Sequence, residues 1–209
     1  MNRPGDGGLL EGLTGLTGSI DLTAADDHRR VRDLADQLLA RPTAAPDDQL
    51  RTLAADETEP LDARVAAMLA RSKLALRRAR PSGTIAVIFA MWGEHHRLRP
   101  RADDNPTGED ALRVKLDQLD WLLADSDLTW QLLPVDDGCP HGSASIASDM
   151  AAQHPLGDRV TVLSLPDALP ATAGPLAGLA SADDSRKGGA LILGAIHALA
   201  HDADAIVFT

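Results

Sequence analysis

Two adjacent carboxylates and a short glycine segment are the residues of this chain best suited to chemistry. Asp136 and Asp137 follow the apolar run Trp130–Val135. A carboxylate accepts hydrogen bonds from N–H and hydroxyl groups, and its charge strengthens them. Further along the chain, Lys187-Gly188-Gly189 precedes an apolar segment of helical character. A cation beside small residues at a helix N-terminus suits an anionic ligand, so the two segments together predict a ligand-binding site.

The elements that position these residues alternate between strands and helices. Apolar segments that are typical of buried strands lie at Thr84–Ala90, Leu128–Val135, Val160–Leu165 and Ala205–Thr209. Helices are predicted between them, at about Gly108–Asp125, from Ser143 or Ser145 as the cap to His154, and at Gly188–His201. This alternation predicts an α/β fold with a doubly wound, mostly parallel sheet and right-handed crossovers. Ligands of such sheets bind outside the carboxyl ends of the strands, where Asp136 and Asp137 are expected to lie.

Residues 1–80 predict a helical region that precedes the α/β portion, residues 81–209. The glycine-rich start, Met1–Gly18, is expected to be a flexible or loosely docked arm. Three helices should follow, the first with Thr23 as its N-cap, the second near Pro46 and the third after Pro60. In the third helix, the predicted apolar stripe consists of Leu61, Val65, Met68 and Leu69. The basic run from Arg71 to Arg80 could contact a phosphate or an anionic membrane, but solvated cations that offset the helix dipole are the favoured interpretation.

Composition bounds the class of protein. The formal net charge of -11 argues against a nucleic-acid partner, because phosphate backbones are bound by clustered lysine and arginine. The single cysteine, Cys139, fits a reducing compartment. No signal peptide or apolar run of membrane-spanning length is evident in the sequence. A cytoplasmic location is therefore expected.

The region from Thr84 onward resembles the nucleotide-binding half of GT-A-fold glycosyltransferases, especially glycosyltransferase family 2. Three segments carry the resemblance: Phe89-Ala90-Met91-Trp92-Gly93-Glu94, Asp136-Asp137-Gly138-Cys139-Pro140-His141-Gly142-Ser143, and Lys187-Gly188-Gly189-Ala190-Leu191. In the first, only the glutamate of the family pattern is retained. In the second, cysteine stands in a serine position and histidine in an aspartate position. The resemblance covers roughly the last 60% of the chain.

The resemblance implies a site for a nucleotide-diphosphate sugar such as a UDP- or GDP-sugar. Asp136 or Asp137, with Gly138, would contact the base, and the backbone of Ala90, Met91 and Trp92 would line its pocket. Glu94 would contact the ribose. Lys187 would offset the diphosphate charge, while Gly188 and Gly189 would let the backbone approach it. A divalent cation (Mg²⁺ or Mn²⁺) is expected in the complete enzyme.

The family's metal-binding Asp-x-Asp motif is expected after the last strand, so the chain is expected to be the front part of a longer protein. It should then bind nucleotide weakly without transferring sugar, and no catalytic or metal-ligating residue is assigned in it. Asp202-Ala203-Asp204 spells the motif but precedes the strand, and it is interpreted as a solvated turn. The acceptor and its base would belong to residues beyond Thr209.

Other interpretations remain open. The chain could be a nonenzymatic nucleotide-binding or protein-interaction module, and its N-terminal helices could support a homo-oligomer. A nucleotidyltransferase would need a glycine-rich first loop with an arginine, which Ala90–Gly93 does not supply. His197 and His201 are spaced to face one metal, but no third ligand is evident. His95 and His96 are interpreted as loop residues, and Cys139 as a small turn residue, because no cysteine–histidine pairing is evident.

Overall fold

The computed structural model describes residues 9–185 and 187–209. Their contacts divide the chain into two compact units. The helical unit contains the described residues up to Arg80 together with Asp120–Ser126, and the α/β unit contains Pro81–Leu119 and Asp127–Thr209.

Three helices form the helical unit: α1 (Ala25–Leu39), α2 (Pro46–Ala55) and α3 (Leu61–Ala79). The apolar residues that α3 buries are four alanines, Ala63, Ala66, Ala67 and Ala70. The predicted stripe was wrong for Leu61 and Met68, which are exposed, whereas Val65 and Leu69 are partly buried and pack against the core. Short alanine side chains at i, i+3, i+4 and i+7 let α3 approach the leucines of α1 and α2 closely, whereas larger side chains fit at the margins.

The segment that precedes α1 is docked on this unit. Five apolar side chains pack against its core: Leu9, Leu10, Leu13, Leu16 and Ile20. The backbone N–H groups of Thr17 and Gly18 donate to Asp62 Oδ2 at 2.7 and 3.2 Å. Arg30 Nη1 donates to the same oxygen at 2.7 Å. The prediction of a flexible or loosely docked arm was wrong from Leu9 onward, and residues 1–8 lie outside the described residues.

The basic run of α3 is held by ion pairs within the helical unit. Lys73 Nζ lies 3.3 Å from Asp36 and 4.3 Å from the centre of the Trp121 ring, and its side chain is only 7% exposed. Arg77 Nη2 lies 2.7 Å from Asp125. The favoured expectation of solvated cations was wrong for Lys73, because acidic partners from elsewhere in the unit allow its burial.

The described α/β unit contains four strands: β1 (Ser82–Met91), β2 (Asp127–Asp136), β3 (Leu163–Ser164) and β4 (Ala205–Phe208). They form one parallel sheet in the order β3-β2-β1-β4. Four helices belong to the connections: α4 (His95–Leu98), α5 (Ala111–Leu123), α6 (Ser143–Gln153) and α7 (Lys187–Ala200). The predicted doubly wound α/β fold is confirmed.

Both faces of the central strands are covered. Consecutive residues of β1, from Ala86 to Ile88, and of β2, from Leu132 to Val135, are all buried, although successive side chains point to opposite faces. α7 packs on the face that contains Ile88. Gly194 permits this contact, because a Cβ there would lie 2.5 Å from Ile88 Cγ2.

The register brings three strand ends to one edge of the sheet. Met91 pairs with Asp136, and Asp136 pairs with Ser164. The strand predicted over Val160–Leu165 is shorter than expected, since only Leu163–Ser164 forms a ladder and Val160 makes an isolated bridge to Leu132. Short edge strands of this kind limit unpaired backbone at the margin of a sheet.

Two predicted helix caps differ from the structure. Ala24, not Thr23, precedes α1, and the Thr23 hydroxyl donates to Asp21 Oδ1 at 2.7 Å. Gly142, with φ of 75°, occupies the N-cap of α6, so Ser143 is the first helical residue and is buried. The sequence signal for a cap was present at both sites, but a nearby turn uses the hydroxyl of Thr23, and Ser143 lies inside the helix.

Candidate functional site

The two carboxylates at the end of β2 have different surroundings. Asp136 Oδ1 accepts a hydrogen bond from the N–H of Cys139 at 3.3 Å, which stabilises the turn that leaves the strand. Asp137 is 7% exposed, and its Oδ1 is buried without a hydrogen-bond partner among the described residues. The backbone N–H of Asp137 continues the ladder by donating to Met91 O at 3.0 Å. Asp136 therefore supports the turn, whereas Asp137 has a buried acceptor to offer a ligand.

Carboxylates surround this acceptor. Burial raises the pKa of Asp137, and the charges of Asp136 and Asp183 raise it further. Burial also raises the pKa of Asp136, and the charge of Asp167 raises it further. The hydrogen bonds that Asp136 accepts from the N–H groups of the turn lower it. Negative potential at this point disfavours a phosphate and favours a ligand group that carries N–H or O–H donors.

The end of β1 offers an aromatic surface beside the acidic pair. Met91 is fully buried and Ala90 is half-buried, so their side chains are engaged in packing inside the protein. Trp92 is 60% exposed, and its ring is nearly perpendicular to that of His141, with the centroids 6.1 Å apart. The candidate contact at this strand end is thus the Trp92 ring, since Met91 O is already paired with Asp137 N–H.

Glu94 and the residues after it form an ordered segment. Glu94 Oε2 pairs with Arg97 Nη1 at 2.9 Å, and Arg97 also pairs with Glu109. His95 and His96, predicted to be loop residues, begin α4 instead. The His96 Nδ1 atom lies 2.9 Å from the Oδ1 of buried Asn105. A ribose contact by Glu94 would therefore compete with Arg97.

The start of α7 lies close in the chain to residues that touch the acidic turn. Gly138 faces Ala182, where a Cβ on the glycine would approach the Ala182 Cβ to 3.1 Å, and α7 begins five residues later at Lys187. Lys187 is exposed. A Cβ on Gly188 would meet nothing within 4 Å, whereas one on Gly189 would lie 2.1 Å from Ser185 Oγ. Gly188 is thus open toward solvent, and Gly189 is required for packing.

A thiol and three imidazoles, which the sequence did not bring together, lie at the same edge. Cys139 Sγ is 3.6 Å from His141 Nδ1, a cysteine–histidine pairing that was not evident in the sequence. The His141 ring stacks on the His95 ring with centroids 4.6 Å apart, and the centroids of the His95 and His96 rings are 4.1 Å apart. The spacing Cys-x-His just before a helix was an available signal.

Lys115 is a further cation at this end of the sheet, and the sequence did not indicate it. Lys115 Nζ on α5 donates to the hydroxyl of Thr209 at 3.0 Å and lies 5.6 Å from the centre of the Phe89 ring. Burial lowers the pKa of Lys115, and the charge of Arg97 lowers it further. No local pattern distinguishes this lysine from a surface residue of an amphipathic helix, so only the fold places it beside the end of β4.

Histidine and aspartate pairs elsewhere have local roles. His201 Nδ1 lies 2.8 Å from His197 O at the end of α7. Asp204 lies at the amino end of β4, where its Oδ2 accepts the N–H of Thr84 at 2.8 Å and thereby ties β4 to β1. Within residues 9–185 and 187–209, no three histidine, cysteine, aspartate or glutamate side chains are grouped so that they could hold a metal ion.

Comparisons with known proteins give no relative for this chain. In the part of the chain that the structure describes, no helix combines the length and apolar character needed to cross a bilayer. Protein-family models, curated proteins and solved structures contain no significant match to the chain.

Proposed function

We propose that this chain is the nucleotide-sugar-binding part of a cytoplasmic glycosyltransferase. The observation that carries the proposal is the buried Oδ1 of Asp137, which has no hydrogen-bond partner among the described residues and lies at the carboxyl end of a central parallel strand. A buried carboxylate oxygen without a partner costs free energy, and a functional role or a bound group is one of the reasons for which proteins retain it. The imide or amino N–H of a nucleotide base is a donor of the required kind.

The neighbouring residues suit the rest of such a ligand. The exposed Trp92 ring offers a stacking surface to a base, which contributes about 1–3 kcal/mol in other proteins. The diphosphate would lie away from the four carboxylates, toward Lys187 and the open backbone of Gly188 at the N-terminus of α7. The N–H donors of the base would thus face the carboxylates, and the negative diphosphate would face Lys187 and the N-terminus of α7.

The proposal assigns binding and orientation, but no catalytic group, to this chain. A divalent cation would offset the charge of the departing diphosphate in glycosyl transfer. The described residues do not fit such a cation, because they provide no group of three suitable ligands. The roles of Asp137, Trp92 and Lys187 are therefore to hold the donor, and no step of transfer is derived from them.

Thermal-shift measurements with UDP, GDP, CDP and TDP, each with and without Mn²⁺, test the proposal. One diphosphate should raise the melting temperature, and the shift should disappear in Asp137→Asn. Asp149→Asn is the matched control, because Asp149 is an exposed aspartate on α6. A nucleotide shift that is unchanged in Asp137→Asn, or no shift with any nucleotide, would contradict the proposal.

A second candidate function is a nonenzymatic interaction module. Apolar side chains are exposed on α7 and on the edge strand β4: Ile192, Ile196, Leu199, Val207 and Phe208. Exposed apolar groups beside a strand edge favour association with another chain. Concentration-dependent mass in sedimentation, abolished in Phe208→Lys and accompanied by no nucleotide response, would favour this function.

A further inference from the structure

Asp137 is a buried carboxylate to which the described residues direct no hydrogen-bond donor. The residue is 7% exposed, and its Oδ1 is buried without a hydrogen-bond partner among the described residues. Burial and the charges of Asp136 and Asp183 raise its pKa, and no hydrogen bond from the described residues opposes them. Since a carboxylate can accept through both oxygens at once, it is best satisfied by a group that presents two adjacent donors.

The sheet places Asp137 and Trp92 next to each other at its carboxyl edge. Successive side chains of a strand point to opposite faces, so Asp137 shares the face of Val135, on which α7 packs. Trp92 follows Met91, which pairs with Asp136, and it is therefore the neighbour of Asp137 in the register. The Trp92 ring is largely exposed. A planar ligand that stacks on this ring would have the Asp137 carboxylate beside its edge.

The donor pattern of guanine matches this carboxylate better than that of the other bases. Guanine presents N1–H and its 2-amino group side by side, so both can donate to the two oxygens of one carboxylate. Uracil and thymine present one N–H between two carbonyl oxygens, and cytosine and adenine present an amino group beside a ring nitrogen that only accepts. These acceptors would face Asp137, Asp136 and Asp183, and the negative potential there disfavours them.

We propose that this site selects guanine, with Asp137 accepting hydrogen bonds from N1–H and the 2-amino group while Trp92 stacks on the purine. The inference rests on the proposed nucleotide-binding function and names its base, so the donor would be a guanosine diphosphate sugar. The bidentate contact supplies the partner that Asp137 Oδ1 lacks among the described residues. Donation to both oxygens also stabilises the ionised carboxylate, which burial alone disfavours.

Inosine diphosphate isolates the contribution of the 2-amino group. It differs from GDP only in lacking this group, and it keeps the N1–H, the ribose and the diphosphate. Loss of one hydrogen bond to a charged acceptor weakens binding by about tenfold to a hundredfold. We therefore expect GDP to bind at least about tenfold more tightly than inosine diphosphate.

Isothermal titration calorimetry of the wild-type chain with GDP, inosine diphosphate, ADP, UDP, CDP and TDP tests the proposal. GDP should bind most tightly, by at least about tenfold over each of the others. Equal binding of GDP and inosine diphosphate, or tighter binding of any other diphosphate, would overturn the guanine assignment while the nucleotide-binding function would stand. No binding of any of the six would overturn both.

Asp137→Asn tests the carboxylate through a change of preference. Asparagine offers one acceptor and one donor, which match the N1–H and the 2-carbonyl group of xanthine. The variant should therefore bind xanthosine diphosphate at least about tenfold more tightly than GDP. Asp149→Asn, at an exposed position of α6, is the matched control and should keep the wild-type preference. An Asp137→Asn variant that still prefers GDP would overturn the role of Asp137.

Trp92→Ala separates stacking from recognition of the base edge. Stacking does not depend on the 2-amino group, so this variant should weaken GDP and inosine diphosphate by about tenfold each and preserve the ratio of their affinities. Unchanged affinity for GDP in Trp92→Ala would overturn the stacking role of the ring.

Discussion

Replacing Asp137 by asparagine should stabilise the free protein while weakening its binding of nucleotide. The carboxylate is 7% exposed, its Oδ1 has no hydrogen-bond partner among the described residues, and Asp136 and Asp183 repel its charge. Asparagine keeps the shape of the side chain and removes the charge. Folding then no longer requires the burial of a repelled carboxylate.

The expected gain is about 1 kcal/mol in the free energy of unfolding at pH 7. Unsatisfied buried polar groups cost about 1–3 kcal/mol, and the lower end applies because asparagine still buries a polar atom and solvent screens part of the charge at this edge. For a chain of this length, 1 kcal/mol corresponds to a rise of roughly 2–4 °C in melting temperature.

The stability difference between the wild type and Asp137→Asn should depend on pH. The pKa of Asp137 is raised in the folded protein. Below the unfolded pKa of about 3.9 the side chain is protonated in both states and does not oppose folding. As the pH rises through the folded pKa, stability is lost, because burial disfavours the ionised carboxylate. The advantage of Asp137→Asn should therefore be largest near pH 7 and vanish below about pH 4.

Differential scanning calorimetry of the wild type, Asp137→Asn and Asp149→Asn between pH 4 and 7 is the assay. Asp149→Asn should leave the melting temperature within about 1 °C, since substitutions of exposed residues are usually near neutral. A lower melting temperature for Asp137→Asn at pH 7, or a gain independent of pH, would refute the reasoning. The first result would mean that the carboxylate already makes a favourable contact in the free protein, and the second that its charge is not the source of the gain.

Three further predictions concern glycine packing, a buried ion pair and the thiol. Gly189→Ala should destabilise by about 1–3 kcal/mol through overpacking, as measured by urea unfolding, whereas Gly188→Ala should not, because only the first position is crowded; equal effects would contradict this. Asp62→Ala should lower the free energy of unfolding by about 1–3 kcal/mol, because it removes the acceptor of the Thr17 and Gly18 N–H groups and leaves Arg30 with Asp27 as its carboxylate partner. The hydrogen bonds of Asp62 outweigh its burial and lower its pKa, so its contribution should be lost as the pH falls through the folded pKa, and a variant deficit that persisted under acid would contradict this. Alkylation of Cys139 by iodoacetamide should have a midpoint near pH 7, and a midpoint near 8.5, the ordinary value, would contradict the hydrogen-bonded thiolate.

The order of elements could be predicted from local patterns. The continuous apolar runs of β1 and β2 predicted strands buried on both faces, and the structure confirms this for Ala86–Ile88 and Leu132–Val135. Prolines 46 and 60 marked the starts of α2 and α3. These signals are local because hydrophobic periodicity and proline geometry act within a few residues.

Predictions that depended on side-chain partners were less successful. The size of an apolar residue suggested that Leu61 and Met68 would face the core, but the space between the helices admits only alanines. Lys73 was expected in solvent, yet Asp36 and Trp121 allow its burial. In each case the deciding neighbour lies far away in the sequence, so no local pattern contains the information.

At the candidate site, too, some features follow from local sequence and others from tertiary contacts. The sequence by itself indicated that Asp136 and Asp137 follow a buried strand, because the apolar run before them is typical of one, although an exposed Asp-Asp-Gly turn remained the alternative interpretation of the pair. Only the tertiary structure decided that Asp136 supports the turn while Asp137 Oδ1 has no partner among the described residues, and that His141 lies beside Cys139 with His95 stacked on it. Strand position follows from hydrophobic pattern along the chain, whereas a hydrogen-bond vacancy or an activated thiol depends on which groups the fold brings within about 3–4 Å.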